Sequence, residues 1–224
     1  MIVRGDPVKT ALAVDACERR GLHYVLATHA AVDQARALSP WAILATGAAD
    51  GLGQVCAAID APGACFEHPP TPGGDATGHL LVVRTDPVFT VDDDSPAVRF
   101  LDAIDAGRDA HIEPHVTWTG IYGPTLVDGV LDLLLDGVTG LAGFAPEGDL
   151  TLDDLHRELT LLARWAARPA GDGAFVAHAA TLSGAVPDYM PPLETMLERF
   201  VSERRRYRGA GEVARRKDPA LQAA

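Results

Sequence analysis

An α/β fold built on a parallel sheet is predicted by three features of the sequence. Short apolar runs alternate with helix-length segments, one run, WAILAT, is nearly all apolar as a strand covered on both faces is, and the helical segments carry their own start and stop residues. The runs are Ile2–Val3, LHYVLAT (22–28), WAILAT (41–46) and HLLVVRT (79–85). Strand-helix units this short require right-handed crossovers, which places the chain in a reduced Rossmann-like class.

The elements follow in order. Asp6 and Pro7 offer an N-cap and a proline at the first helical position, and the spacing of Leu12, Ala16 and Cys17 carries that helix to Gly21. Ala30 to Leu38 is helix-permissive, and the Gly47 to Gly53 stretch leads into a helix from Leu52 to Asp60. Glu67 to Gly78, rich in Pro and Gly, reads as a loop. Ser95 with Pro96 opens a helix to about Ala106, and Pro124 to Leu135 forms another with Leu131, Leu134 and Leu135 as its apolar stripe. Thr151 and Asp154 approximate a capping box ahead of Leu155 to Ala167. The last helix, Pro192 to about Tyr207, sets Leu193, Met196, Leu197 and Phe200 on one face.

With 224 residues and 47% of them hydrophobic, the chain is long enough to bury a substantial core. Its net charge of -12 repels nucleic acid. No apolar stretch is long enough to span a bilayer and no signal-peptide pattern opens the chain, so the expected location is the cytoplasm, away from membranes. Cys17, Cys56 and Cys65 lack CxxC spacing and read as buried structural thiols. The basic run from Arg199 to Lys217 reads as a solvated helix end and a frayed terminus.

Several polar groups invite a chemical reading. His111, Glu113 and His115 form an HxExH pattern whose alternate residues would share one side of a strand; a polar loop explains the same letters, and no metal site is expected. Asp92, Asp93 and Asp94 fit a solvated turn before the Ser95 cap better than a cation site. Arg84 and Thr85 end a buried strand, where parallel sheets bind ligands, and Arg84 could meet a phosphate or carboxylate.

Two segments resemble the dTDP-4-dehydrorhamnose reductases, extended short-chain dehydrogenases, and allowing for gaps the likeness covers most of the chain to about Phe200. Arg20 to Gly47, with WAILATG, is similar to that family's second strand and the "RPWAVVNAAG" strand that borders the nicotinamide cofactor. His79 to Ala145, with LLVVRTDPVF, FLDAIDAG and GPTLVDGVLDLLLDGVTGLAGFA, is similar in order and spacing to the family's "VVRTSxxFG", "PTYVxDLVxxxLDLLIDG" and "GLWHLA". YMPPLETMLERF looks like its closing helix. The resemblance implies a nicotinamide- and sugar-nucleotide-binding ancestry within dTDP-rhamnose biosynthesis. Gly5, Thr46 and Gly47 would border the cofactor; Arg84, Thr85, Pro124 and Thr125 would border the sugar nucleotide.

Departures from the family pattern are as informative. The cofactor turn TGxxGxxG is matched by Arg4–Thr10, where only Gly5 survives, Pro7 removes an amide and Asp6 adds a carboxylate. The resemblance therefore implies NADPH or NADH, bound weakly or lost. The family's catalytic Tyr is followed four residues later by Lys, which lowers the phenol pKa. Lys9 and Lys217 are the two lysines, and neither stands four residues after Tyr24, Tyr122, Tyr189 or Tyr207. The segment that would hold the pair falls between Phe66 and His79, where the chain is short. No catalytic residue is therefore expected. A rival turn, TGAADGLG at Thr46–Gly53, with Asp60 or Glu67 as ribose ligand, would support an active reductase, with Tyr122 or a histidine as acid.

The expected organisation is a Rossmann-like NAD(P)-binding-type domain at 1–94, a mixed segment with a small substrate-type lobe and closing helices at 95–207, and a basic flexible tail at 208–224. The lobe is expected to draw on Val116 to Ala145 and the last two helices. The expected partner is a sugar nucleotide or another protein, with an oligomer compatible with either. A structural interaction module with the basic tail, Met196 and Phe200 as contact surface is the third reading.

Overall fold

The computed structural model describes residues 1–5, 7–27, 32–46, 51–67, 78–85, 87–113, 116–144, 150–165 and 193–217. These fall into two compact units: 1–88 with 123–144 in the first, and 89–122, 150–165 and 193–217 in the second.

The first unit is the parallel sheet that the alternating apolar runs predict. Its strands are β1 (Ile2–Arg4), β2 (Val25–Leu26), β3 (Ile43–Ala45), β4 (Gly63–Glu67), β5 (Leu80–Thr85) and β9 (Gly140–Phe144), in the order β2-β1-β3-β4-β5-β9. Every pairing is parallel, with Ile2 opposite Val25 and Ile43, and Val82 opposite Cys65 and Leu141. Helices α1 (Pro7–Arg19), α2 (Val32–Leu38), α3 (Leu52–Ile59) and α5 (Gly123–Leu135) make the crossovers. Alternation along the strands sends Ile2, Ile43, Cys65 and Val82 into one apolar cluster with Ala35 of α2 and Leu52, Val55 and Cys56 of α3. The intervening Val3, Leu44, Leu81 and Val83 are also buried, so β1, β3 and β5 are covered on both faces, while Val25 and Leu26 of β2 are exposed.

α1 packs beside α5 in this unit. Arg19 and Arg20, at the end of α1, bind the carboxylate of Asp128 at 3.2–3.3 Å, and Arg20 also binds Asp132. Asp128, in the segment resembling the family's PTxxxD, therefore ties two helices together. The sequence reading had placed Val116–Ala145 in the C-terminal lobe. Residues from Gly123 onward belong instead to the sheet unit, because β9 continues it beyond β5.

β4 is the strand that sequence reading passed over. Its residues GACFE include no β-branched side chain, and the loop expected from Glu67 begins one residue inside it. Small residues are needed there: a Cβ on Gly63 would stand 2.4 Å from Cys56 Sγ. Burial pushes the Cys56 thiol up to about 11, against a smaller opposing influence of the Arg4 charge. With a folded value above the unfolded one, the stabilisation is complete below about pH 9 and is lost as pH rises toward 11. Stability should fall by about 2 kcal/mol between about pH 8 and about pH 10.5 through this thiol, on 1.36 kcal/mol per unit. Urea melts of the parent and Cys56→Ala at both pH values measure the difference; equal slopes would remove Cys56 from the account.

The second unit holds α4 (Pro96–Asp105), α6 (Leu152–Trp165) and α7 (Leu193–Lys217), with α6 packed on both α4 and α7. Strands β7 (Thr117–Trp118) and β10 (Leu150–Thr151) pair antiparallel, and β6 (Val88–Phe89) pairs with β8 (Ile121–Tyr122). Of the expected caps, Asp6 lies outside the described residues and the other two are present. Ser95 Oγ accepts from the Val98 amide at 3.4 Å, and Thr151 and Asp154 bond reciprocally at 2.6–3.2 Å. Phe89, Trp118, Tyr122 and Phe200 form one aromatic cluster, with centroids 5.2–5.5 Å apart.

The basic run departs from the frayed terminus expected of it. α7 continues to Lys217, Arg204 and Arg208 bind Asp102, and Arg205 binds Asp105 at 2.7 Å. Those ion pairs hold the helix to α4. Among the described residues no helix is long and apolar enough to cross a membrane.

Candidate functional site at the carboxyl edge of the sheet

All strands of the first unit run the same way, so their carboxyl ends share one edge. From β1 the chain passes to β2 on one side and then to β3 on the other, and the switch point between β1 and β3 is where such sheets bind ligands. Arg4, Gly5 and Thr46 stand at that point. Gly5 has φ 124°, a conformation that side chains rarely adopt, so the turn into α1 depends on glycine here.

Thr46 is fully buried. Its amide donates to the Arg4 carbonyl at 2.7 Å and its hydroxyl donates to the same oxygen at 3.0 Å, while Thr10 Oγ1 lies 2.9 Å from Thr46 Oγ1. With its proton on Arg4, Thr46 accepts from Thr10 and so braces the end of β1 and the first turns of α1. Lys9, in the same helical turn, stands 5.9 Å from the centroid of the Phe66 ring on β4. Pro7 is the first residue of α1 and supplies no amide donor.

Arg84 and Thr85 end β5 on the same edge, Arg84 exposed and Thr85 half-buried. Pro124 and Thr125 are buried in the first turn of α5, and Thr125 Oγ1 has no hydrogen-bond partner. Gly47 lies outside the described residues, as do Tyr189, His115 and positions 68–77. The structure thus brings Gly5 and Thr46 together, puts Arg84 and Thr85 on the same edge, and sets Pro124 and Thr125 at a helix start.

Other sequence candidates take structural roles. Of the rival turn, Gly51 is the left-handed N-cap of α3, with φ 71°, while positions 47–50 lie outside the described residues. Asp60 caps the far end of α3, on the edge where strands begin, so it cannot meet a ribose at the carboxyl edge. Tyr122 is fully buried and donates to Glu203 at 2.5 Å, and Glu203 in turn binds Arg199. That hydroxyl is committed to a carboxylate within the second unit. Asp92 and Asp93 accept from Thr90, and Asp93 accepts from the Ser95 amide, which makes the acidic stretch a turn. His111 and Glu113 are exposed and in no strand, and the described residues contain no group able to hold a metal.

Sequence reading missed Arg4. A charged residue closing an apolar strand directly before a glycine, at the carboxyl edge of a parallel sheet, was the available signal. The unit has six basic residues, Arg4, Lys9, Arg19, Arg20, Arg36 and Arg84, and three of them, Arg4, Lys9 and Arg84, lie at this edge. Glu67 ends β4 on the same edge, in register with Arg84.

Against solved structures, the chain aligns with UDP-N-acetylglucosamine 4-epimerase from Bacillus cereus at a TM-score of 0.61 and 11% identity, covering 91% of this chain and 99% of the other. The chain shares the fold of that protein. A dTDP-4-dehydrorhamnose reductase from Yersinia enterocolitica aligns at 0.58 and 12% identity over 90% of this chain and 98% of its own. A reductase of the same name from Bacillus anthracis, in complex with NADP, gives 0.58 and 10% over 90% and 97%. At such identities the likeness is one of fold. No family model matches the sequence, and no curated protein does.

Proposed function

We propose that this chain is a sugar-nucleotide-binding protein of the dTDP-4-dehydrorhamnose reductase type that has lost hydride transfer. The observation that carries the reading is the missing proton donor. The fold is one in which reduction of a keto sugar needs a general acid, and no tyrosine of this chain has a lysine four residues on. The buried Tyr122, bonded to Glu203, cannot replace it. Pro7 and the braced Thr46 argue for a weakened or lost nicotinamide site, since both reduce the donors available to a pyrophosphate.

Binding without turnover is the expected behaviour. A dTDP-sugar should raise the melting temperature, because a ligand at 100 times its dissociation constant adds about 2.7 kcal/mol to stability. Loss of NADPH absorbance with a dTDP-4-keto sugar should stay at the rate of the protein-free control. Turnover above that control would restore the active reductase; no response to any sugar nucleotide would leave a protein-binding role, as the interaction-module reading has it.

A further inference from the structure

Arg4 Nε is buried, and among the described residues it has no hydrogen-bond partner and its guanidinium no carboxylate. Scarcity of acids is not the reason, since the chain has 31 of them against 19 Lys and Arg. Arg19, Arg20, Arg204 and Arg205 each hold a carboxylate at 3.3 Å or closer. A partly buried guanidinium with an orphaned donor destabilises the ligand-free fold, and such groups persist where a ligand completes them.

The backbone around it is fixed. Two hydrogen bonds from Thr46 hold the Arg4 carbonyl, and Gly5 turns the chain away at φ 124°. Strand alternation puts Arg4 on the same side of the sheet as Ile2, toward α3 and Cys56, whose thiol feels its charge. Lys9 rises from α1 over Phe66 at the same edge. Alternation sets Phe66, and Lys9 of α1 over it, on the opposite face of the sheet from Cys65 and Arg4, so of the two cations Arg4 alone is on the α3 side.

We infer that Arg4 is the anion-binding side chain of this edge, its guanidinium taking the diphosphate of a nucleotide ligand in place of the backbone amide that Pro7 removes. The diphosphate is shared by a dinucleotide cofactor and a sugar nucleotide. For the nucleotide part of the ligand this inference rests on the proposed function; for the anion it rests on Arg4 alone.

Titration calorimetry with inorganic pyrophosphate, then NADPH and dTDP, on the full chain separates these claims. Pyrophosphate should bind the parent protein, more weakly as salt is raised. Binding should weaken about tenfold or more in Arg4→Gln, as loss of a charge-assisted contact does, less in Arg4→Lys, and not at all in Arg36→Gln on exposed α2. Equal pyrophosphate affinity in the parent and Arg4→Gln, or none in the parent, overturns the role of Arg4. If pyrophosphate binding depends on Arg4 while neither NADPH nor dTDP binds, the anion site stands and the nucleotide reading fails. If nucleotides bind the parent and Arg4→Gln alike, the reading stands and Arg4 fails. Should Arg4→Gln not fold, the Arg4 Nε–Hε resonance of the parent decides: a shift on adding pyrophosphate supports the contact, and an unmoved resonance overturns it.

Discussion

Phe200→Ala should lower the stability of the second unit by about 3–5 kcal/mol, the range for deleting a fully buried aromatic ring. Phe200 is 0% exposed, and its ring stands 5.2 Å from Phe89 and 5.5 Å from Tyr122 in edge contacts. The neighbours cannot close the cavity easily. Tyr122 is held by its hydroxyl on Glu203 and by its amide on Met196 Sδ at 3.3 Å, so its ring has little freedom to move into the space. Phe200→Leu, which refills part of the volume, should lose less than half as much. Urea unfolding followed through Trp118 fluorescence is the measurement, because that indole lies 5.4 Å from Phe89 in the same cluster. A loss below about 1 kcal/mol for the alanine variant would mean that the ring is not packed as described.

The elements that sequence reading placed correctly are those with their own punctuation. α1 lies between Pro7 and Gly21, α4 has its Ser95 cap, and Thr151 with Asp154 precedes α6. β3 and β5 were legible because doubly covered strands carry unbroken apolar stretches, Ile43–Ala45 in β3 and Leu80–Val83 in β5. β4 was not, since what selects its residues is room against α3 rather than strand propensity. The extent of α7 was misjudged for a related reason: its arginines look solvated in isolation, and the carboxylates that bind them, Asp102 and Asp105, come from α4. At the candidate site, Gly5 was picked out only by resemblance, as the one glycine left of the family's cofactor turn, and its φ of 124° gives a physical reason for it. Thr46 was placed at the right edge, but its hydrogen bonds to Arg4 and Thr10 depend on strand order, which local sequence does not contain. Arg4 was overlooked because a single arginine is informative only once the described residues around it are seen to offer it no carboxylate.

Gly63→Val should be the most damaging change in the first unit, at about 3 kcal/mol, the upper part of the range for overpacking a core. Gly63 lies on β4 between β3 and β5, paired with Ile43 and Leu80. A Cβ there would meet Cys56 Sγ at 2.4 Å, and next the Ile43 carbonyl and Leu80 Cδ1, both at 3.5 Å. The sulfur alone is in overlap, and it is fully buried, so it can escape only by pushing α3 or rotating into the neighbouring cluster. Relief of that one contact is therefore the discriminating experiment. Cys56→Ala costs stability by itself, yet combined with Gly63→Val it should recover about half of the valine penalty, a coupling of 1 kcal/mol or more in a double-mutant cycle. Additive losses would show that the valine methyls strike the Ile43 carbonyl or Leu80 instead, and that the glycine answers to the strand backbone rather than to the thiol across from it.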